Sequence, residues 1–458
     1  MGRIGFLLAL LMTVAALGVP ARAGAAPVKH VWVLFLENKN FDESFGALPT
    51  RSTYLSDTLP AQGALVPNFY GITHFSLGNY LGLLSGQGSN LQTQADCPLF
   101  TPVLPALPID DGQVLGTGCV YPARVQTLAD QLVAKGMSWK GYMQGMESPC
   151  QHPALGAPDP TQSAQPGHQY AARHNPFVYF ESIIGSPECA KRDVELGALP
   201  GDLRSVSTTP NFSFITPDLC EDAHDAPCVD RRPGGLASAD GFLRTWVPRI
   251  LNSPAYKRDG MLVITFDEAE AKGLLDDASA CCDEPQFPNT PNNGGIVLGR
   301  GGGRIGAVVL SPFVDPGTID LQPYNHFSLL RTLEDLYGLD HLGYAARAGL
   351  TTFGPSLFTC YDARPPRPVR GRFRRGGLIR RAVVFQGTAH RPSLEVKLRR
   401  GGRVRVALAR RRGTPRPVGG PRSTLPCQRV RTRLPAAQGT AIVTASVRGG
   451  TETRRIPF

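Results

Sequence analysis

Several signatures are missing from this 458-residue sequence, and each absence excludes a class of protein. No Cys-x-x-Cys spacing occurs, so a zinc ribbon has no framework. No Gly-x-Ser-x-Gly elbow occurs, which removes a serine-hydrolase triad of the α/β-hydrolase kind. The run Gly301-Gly302-Gly303 is not followed by Lys-Ser/Thr, so it is a turn and not a phosphate-binding loop. No Cys-x-Pro-x-Arg stretch is present to form a formylglycine nucleophile. No long internal repeat is visible. Beyond the N-terminus no segment is apolar enough to span a bilayer.

What is present begins with a leader. Residues 1–26 carry Arg3, an apolar run from Ile4 to Leu17, Pro20 and small residues that offer Ala21-Arg22-Ala23 or Ala23-Gly24-Ala25 as cleavage sites. This predicts a secretory signal and a secreted or cell-surface protein. No twin-arginine pair and no Leu-x-x-Cys anchor accompany it. Ten cysteines, an even number, agree with export and predict disulfides. The local pairs expected are Cys97 with Cys119, Cys150 with Cys189, and Cys220 with Cys228. Cys360 and Cys427 are placed to tie the tail to the body, and the adjacent Cys281-Cys282 have no evident partner.

The net charge of +11 hides two unlike parts. From Tyr361 onward 25 Lys and Arg face three acidic residues, which leaves 23 basic and 34 acidic residues before that point. The break falls at Arg364-Pro365-Pro366-Arg367-Pro368, a stiff linker. We divide the chain into residues 27–360, a linker at 361–377, and a basic all-β module at 378–458. Leu394–Leu398 and Val404–Leu408 alternate as strands, with Gly401-Gly402 between them as a hairpin turn. Ala441–Val447 is a further strand. Such a module is suited to an anionic polymer or lipid headgroup, or is simply a solvated β-unit. It has few aromatic residues for stacking, which argues against nucleic acid.

In the body, Val28–Leu36 is a nearly continuous apolar run ending in Glu37-Asn38, the pattern of a buried strand. Asn211–Thr216 ends at Asp218, and Met261–Phe266 ends at Asp267-Glu268. Ile305–Leu310 is closed by Ser311-Pro312. Between them, Val125–Lys135 and Asn325–Tyr337 show helical spacing, the latter with Asn325 as its cap. Strands alternating with helices predict an α/β fold with a mainly parallel sheet. Ligands of such sheets gather at the carboxyl ends of the strands. Three strands ending in carboxylates therefore mark a candidate site. Glu37, Asn38, Asp267 and Glu268 offer oxygen ligands, and Asp218, Asp222, His224 and His326 offer oxygen and imidazole. Oxygen donors with histidine suit a divalent metal ion such as calcium, zinc, manganese or magnesium. A metal of this kind can bind a phosphoryl oxygen and ready a serine for attack. Ser76, within Thr73-His74-Phe75-Ser76-Leu77-Gly78-Asn79-Tyr80, is the nucleophile candidate.

These residues carry a resemblance. The ordered set comprises Glu37-Asn38-Lys39-Asn40-Phe41-Asp42 with Phe45-Gly46, Thr73-His74-Phe75-Ser76 with Asn79-Tyr80, and His174-Asn175-Pro176-Phe177. It continues through Thr216-Pro217-Asp218-Leu219-Cys220 with Asp222 and His224-Asp225, Phe266-Asp267-Glu268, Ser311-Pro312 and His326-Phe327-Ser328. It resembles the bacterial phosphoesterase family of acid phosphatases and phospholipases C, in the alkaline phosphatase-like superfamily. The resemblance implies a three-layer α/β/α sandwich. It implies a hydrolase of phosphate esters, with Ser76 passing through a phosphoserine. Glu37, Asn38, Asp267 and Glu268 are then metal ligands, with Asp218 and His326 beside them. Asn79 would hold a phosphoryl oxygen, His174 and His224 would act in catalysis, and Asp222 and His174 would contact substrate. Two departures stand out: Phe75 and Gly78 occupy positions where family members commonly carry proline. The phospholipase branch's Asp-His-Val-Pro-Pro is replaced by Asp276-Asp277 and Cys281-Cys282-Asp283-Glu284, which leans toward a phosphomonoesterase. The other readings are a phospholipase C-type diesterase, and a surface-binding protein with a decayed catalytic domain. The intact Glu37-Asn38, Ser76 and Asp267-Glu268 set argues against decay.

Overall fold

In a computed structural model, the chain is described at residues 28–46 and 53–358 and, beyond them, only along strands between 379 and 457. The leader, the 361–377 linker, Cys360 and Cys427 lie outside the described residues.

Eight strands form the central sheet: β1 (His30–Leu36), β2 (Ala64–Val66), β3 (Trp139–Met143), β4 (Asp193–Glu195), β5 (Phe212–Thr216), β6 (Gly260–Phe266), β7 (Ala307–Leu310) and β8 (Thr318–Ile319). Their order is β8-β2-β7-β6-β1-β5-β3-β4. β1 lies in the middle, parallel to both β5 and β6, with Leu36 opposite Phe266 and Leu34 opposite Ile215. Every residue of β1 and β6 is buried, which is why their sequences run apolar without alternation.

The helices that matter for the site are α1 (Ser76–Ser85), α2 (Leu128–Ala134), α3 (Gly235–Asn252), α4 (Pro254–Asp259) and α5 (His326–Tyr337). Phe35 of β1 packs on Tyr80 of α1 and His326 of α5, at ring separations of 5.1 and 5.0 Å. Trp32, three residues earlier and so on the opposite face, packs on Tyr256 of α4. Helices α1, α2 and α5 pack together over one face, and α3 and α4 over the other. The body is thus a three-layer α/β/α sandwich. Among the described residues no helix is long and apolar enough to cross a membrane.

Three expectations change. β7 runs antiparallel to β6 and β2. Its closing Ser311 therefore bonds Gly260 at the start of β6, at the far end of the sheet from the strand-end carboxylates. Val133 of α2, expected to share an apolar face with Leu128 and Leu132 at helical spacing, is half-exposed. In the C-terminal part, Ser393–Leu398 pairs with Ile379–Phe385 and Arg429–Arg433, whereas Gly402–Leu408 pairs with Thr440–Val447. The two segments belong to different antiparallel sheets and not to one hairpin.

The three local disulfides form as expected, Cys97–Cys119, Cys150–Cys189 and Cys220–Cys228, and Cys281 bonds its neighbour Cys282.

Candidate active site

The carboxyl ends of β1 and β6 bring Glu37-Asn38 beside Asp267-Glu268. The Asn38 backbone N–H donates to Asp267 Oδ1 at 3.0 Å, and its side-chain Nδ2 donates to Glu268 Oε1 at 3.0 Å. Asn38 adopts φ +44°, a left-handed conformation that Asn tolerates better than most residues, and this lets both bonds form.

Ser76 is the first residue of α1, where the helix dipole favours negative charge. Its hydroxyl donates to Glu37 Oε2 at 2.7 Å, while Tyr80 donates to Glu37 Oε1. The residue before it, Phe75, sits at φ +68°. That value is closed to proline, so the chain takes a path here that a proline would forbid. Gly78 is explained by contact: a Cβ there would lie 2.2 Å from Ser89 Oγ.

A cleft of about 230 Å³ opens over this group. Glu37, Asn38, Ser76, His174, His224 and Glu268 line it, as do Arg173 and Asp96, which no sequence signal singled out. Asp96 accepts a bond from the Leu77 backbone N–H and lies 3.7 Å from Arg173 Nε. Burial opposes the Arg173 charge, but Asp96, Glu37 and Asp222 outweigh it and hold the guanidinium above its ordinary pKa.

His174 is buried and stacks on Tyr80. Its Nε2 is 3.4 Å from Glu37 Oε2, and its Nδ1 is 3.7 Å from Asp222 Oδ2. Burial, then Arg173 and His224, pushes its pKa well below the usual histidine range. His224 stands half-exposed at the rim. Its hydrogen bond to Asp225 is the main cause of a raised pKa.

The carboxylates are crowded. Burial, then the charges of Asp267 and Asp222, pushes Glu37 well up. Burial raises Asp222 to about 7. Glu268 is raised by burial and then by Asp267, and its second oxygen meets His74 Nδ1. Among the described residues, Asn38 Oδ1, Asp267 Oδ2, Asp222 Oδ2 and both His174 ring nitrogens are buried without a hydrogen-bond partner. Unpaired buried oxygens and repelling carboxylates are what a divalent cation would relieve. These donors do not yet form a closed cage: the only trios of acidic, His or Cys donors mutually within 4.8 Å among the described residues contain disulfide-bonded cysteines. The charge distribution, and not a preformed cage, is what fits a cation.

Three other sequence-predicted site residues are held by bonds within the protein. Asp218 Oδ1 accepts from the Cys220 and Glu221 backbone N–H groups, and its Oδ2 faces Arg232. It shapes a turn and is not among the residues lining the cleft. His326 Nε2 donates to the Asp267 backbone carbonyl at 2.6 Å, and its Nδ1 is buried without a hydrogen-bond partner. Its imidazole, lowered to about 4 by burial, braces Asp267 and is not among the residues lining the cleft. Asn79 accepts from the Ile72 and Thr73 N–H groups and donates to the Thr73 and Phe75 carbonyls. Its amide thus makes four bonds in holding the loop that leads into Ser76.

Residues 50–340 match the Phosphoesterase family. The chain belongs to that family. This family member is 26% identical over 327 residues to a phosphatidylinositol-3-phosphatase of Mycobacterium tuberculosis, covering 71% of this chain and 83% of that one. It is 23% identical over 320 residues to a probable acid phosphatase of Kluyveromyces lactis, covering 69% of this chain. It is 24% identical over 285 residues to an acid phosphatase of Aspergillus fumigatus, covering 62% of this chain. The phosphoesterase-family chain spans 60% and 51% of the length of those two fungal proteins. Among solved structures, an alkaline phosphatase superfamily protein from Vibrio parahaemolyticus overlays with a TM-score of 0.41 and 11% identity, covering 95% of this chain and 83% of that one.

Proposed function

We propose that this chain is a secreted, metal-dependent phosphomonoesterase that uses Ser76 as its nucleophile. The observation that carries the reading is the Ser76 hydroxyl at a helix N-terminus, 2.7 Å from a buried Glu37 carboxylate, amid unpartnered oxygens of Asn38 and Asp267. Family membership and the phosphatase names of its relatives support the reaction class.

In this reading Glu37, Asn38, Asp267 and Glu268 would hold a divalent cation. Glu268, by accepting from Asn38 Nδ2, leaves Asn38 Oδ1 free. When bound, the ion neutralises phosphoryl charge and lowers the serine pKa. The protein's own residues supply the remainder. Glu37 accepts the Ser76 proton. Arg173, held charged, faces the phosphoryl oxygens, and the start of α1 adds its dipole there. Ser76 Oγ bonds to phosphorus as the ester oxygen leaves. His224, with its raised pKa, gives that oxygen a proton at the rim. The phosphoserine is then hydrolysed by water. His174 lines the cleft, with Asp222 3.7 Å from its Nδ1.

The test is hydrolysis of a phosphate monoester, a phosphodiester and phosphatidylcholine by residues 27–458, with and without chelator. Monoester turnover that disappears on chelation and returns with metal is expected. Turnover untouched by prolonged chelation overturns the metal, and diester preference overturns the monoesterase reading in favour of a phospholipase C.

A further inference from the structure

The cleft lining is mixed. Polar Glu37, Ser76 and Arg173 share it with apolar Phe75, Ala271 and Ile296. The apolar lining continues onto the surface through Ile296. Leu274, Leu275, Ile296 and Leu298 are 63, 89, 50 and 67% exposed. Single exposed apolar side chains are ordinary, but a cluster beside a catalytic mouth is not. The Leu298 backbone N–H donates to the Leu274 carbonyl at 2.9 Å, so the two segments lie side by side.

This cluster stands on a braced loop. Val297, between Ile296 and Leu298, is fully buried. Asn292 Nδ2 donates to the carbonyls of Gly295 and Val297, and the Gly294 N–H donates to the Gly299 carbonyl. Val297 thus anchors the loop while its two neighbours are held outward.

We propose that Leu274, Leu275, Ile296 and Leu298 form a platform that seats the protein on a lipid surface and brings phosphate esters carried in that surface to Ser76. The chemistry of this inference rests on the phosphatase reading, whereas the binding does not. Continuity decides the occupant, because Ile296 belongs to both platform and cleft. A second protein copy seated on Ile296 would cover the mouth, whereas a lipid surface delivers the substrate through it. The apolar part of a lipid phosphate lies along Ile296 and Phe75 while its phosphate reaches Ser76 and Arg173.

The experiment compares the full chain with a Leu275→Ser, Leu298→Ser double variant. Both side chains are largely exposed, so an unchanged Tm is expected. Zwitterionic phosphatidylcholine vesicles, some containing phosphatidate, are the probe, and both proteins keep the basic tail. Vesicle affinity in flotation is expected to fall about tenfold or more, as loss of two inserted leucines implies. Phosphatidate hydrolysis in the vesicles falls with it, while turnover of soluble glycerol phosphate is unchanged. Equal flotation of the two proteins overturns the proposal. So does a concentration-dependent mass that the double variant abolishes, since the platform then belongs to a second copy. Failure of the wild type to hydrolyse any soluble monoester counts against the phosphatase reading alone and leaves the flotation result to decide the platform.

Discussion

Asn38 bonds Asp267 through its backbone and, through its side chain, Asp267's neighbour Glu268, so one residue at the end of β1 fixes both carboxylates at the end of β6. Removing the side chain frees Glu268 and deletes the unpartnered Oδ1. Asn38→Ala is expected to lower metal affinity about 10–100-fold, the range for a lost ligand-orienting contact, and to lower kcat/KM with it. Titrating metal back into the chelated variant checks this. Wild-type metal dependence in Asn38→Ala would remove Asn38 from the site.

Asn79 is buried and makes four bonds to the backbone of residues 72–75. Asn79→Ala leaves the Ile72 N–H and Thr73 carbonyl without their partner. A loss of about 2–4 kcal/mol in unfolding free energy is expected from two such groups. Denaturant melts measure it, and a KM effect with unchanged stability would return Asn79 to substrate binding.

Glu334 gives a pH prediction far from the site. Its Oε1 accepts from the Leu342 N–H, its Oε2 is buried without a partner, and burial lifts its pKa to about 9. The folded state thus holds a proton that the unfolded chain releases near pH 4.3. Its stabilising share is complete below that pH and is lost as pH rises toward 9, by up to about 1.4 kcal/mol per unit. The wild-type Tm should fall between pH 5 and pH 8 more steeply than that of Glu334→Gln. Parallel profiles would contradict this.

The Cys220–Cys228 disulfide closes the loop that carries Asp222 and His224. Replacing both cysteines by serine is expected to cost about 2.5 kcal/mol by loop-closure entropy. Activity should fall more than stability alone explains, since Asp222 and His224 lose their fixed spacing. Thermal melts alongside kcat at a permissive temperature separate the two effects.

How much of this was legible follows from the residues. β1, β5 and β6 announce themselves because strands buried on both faces are continuously apolar and end in polar pairs. β3 does not, since Lys140 and Gly141 interrupt its run. The pattern is blind to direction, so nothing in Ala307–Leu310 reveals that it runs antiparallel. α1 is masked by Gly78 and Gly82, which close packing requires and helix propensity disfavours. Strand-end position correctly gathers Glu37, Asn38, Asp267 and Glu268. It cannot separate a cleft-facing side chain from a turn former such as Asp218 or a brace such as His326. Arg173 had only its place beside His174 as a signal, and one sequence does not tell which way such a side chain turns.

The central claim is that phosphorus is transferred to Ser76. The direct measurement is an acid quench of the metal-loaded protein during turnover of a phosphate monoester, followed by mass spectrometry of its peptides. The account predicts one phosphorylated peptide, with the phosphate on Ser76, and neither that peptide nor turnover above background in Ser76→Ala. Full turnover by Ser76→Ala, or phosphate trapped on another residue, would contradict it.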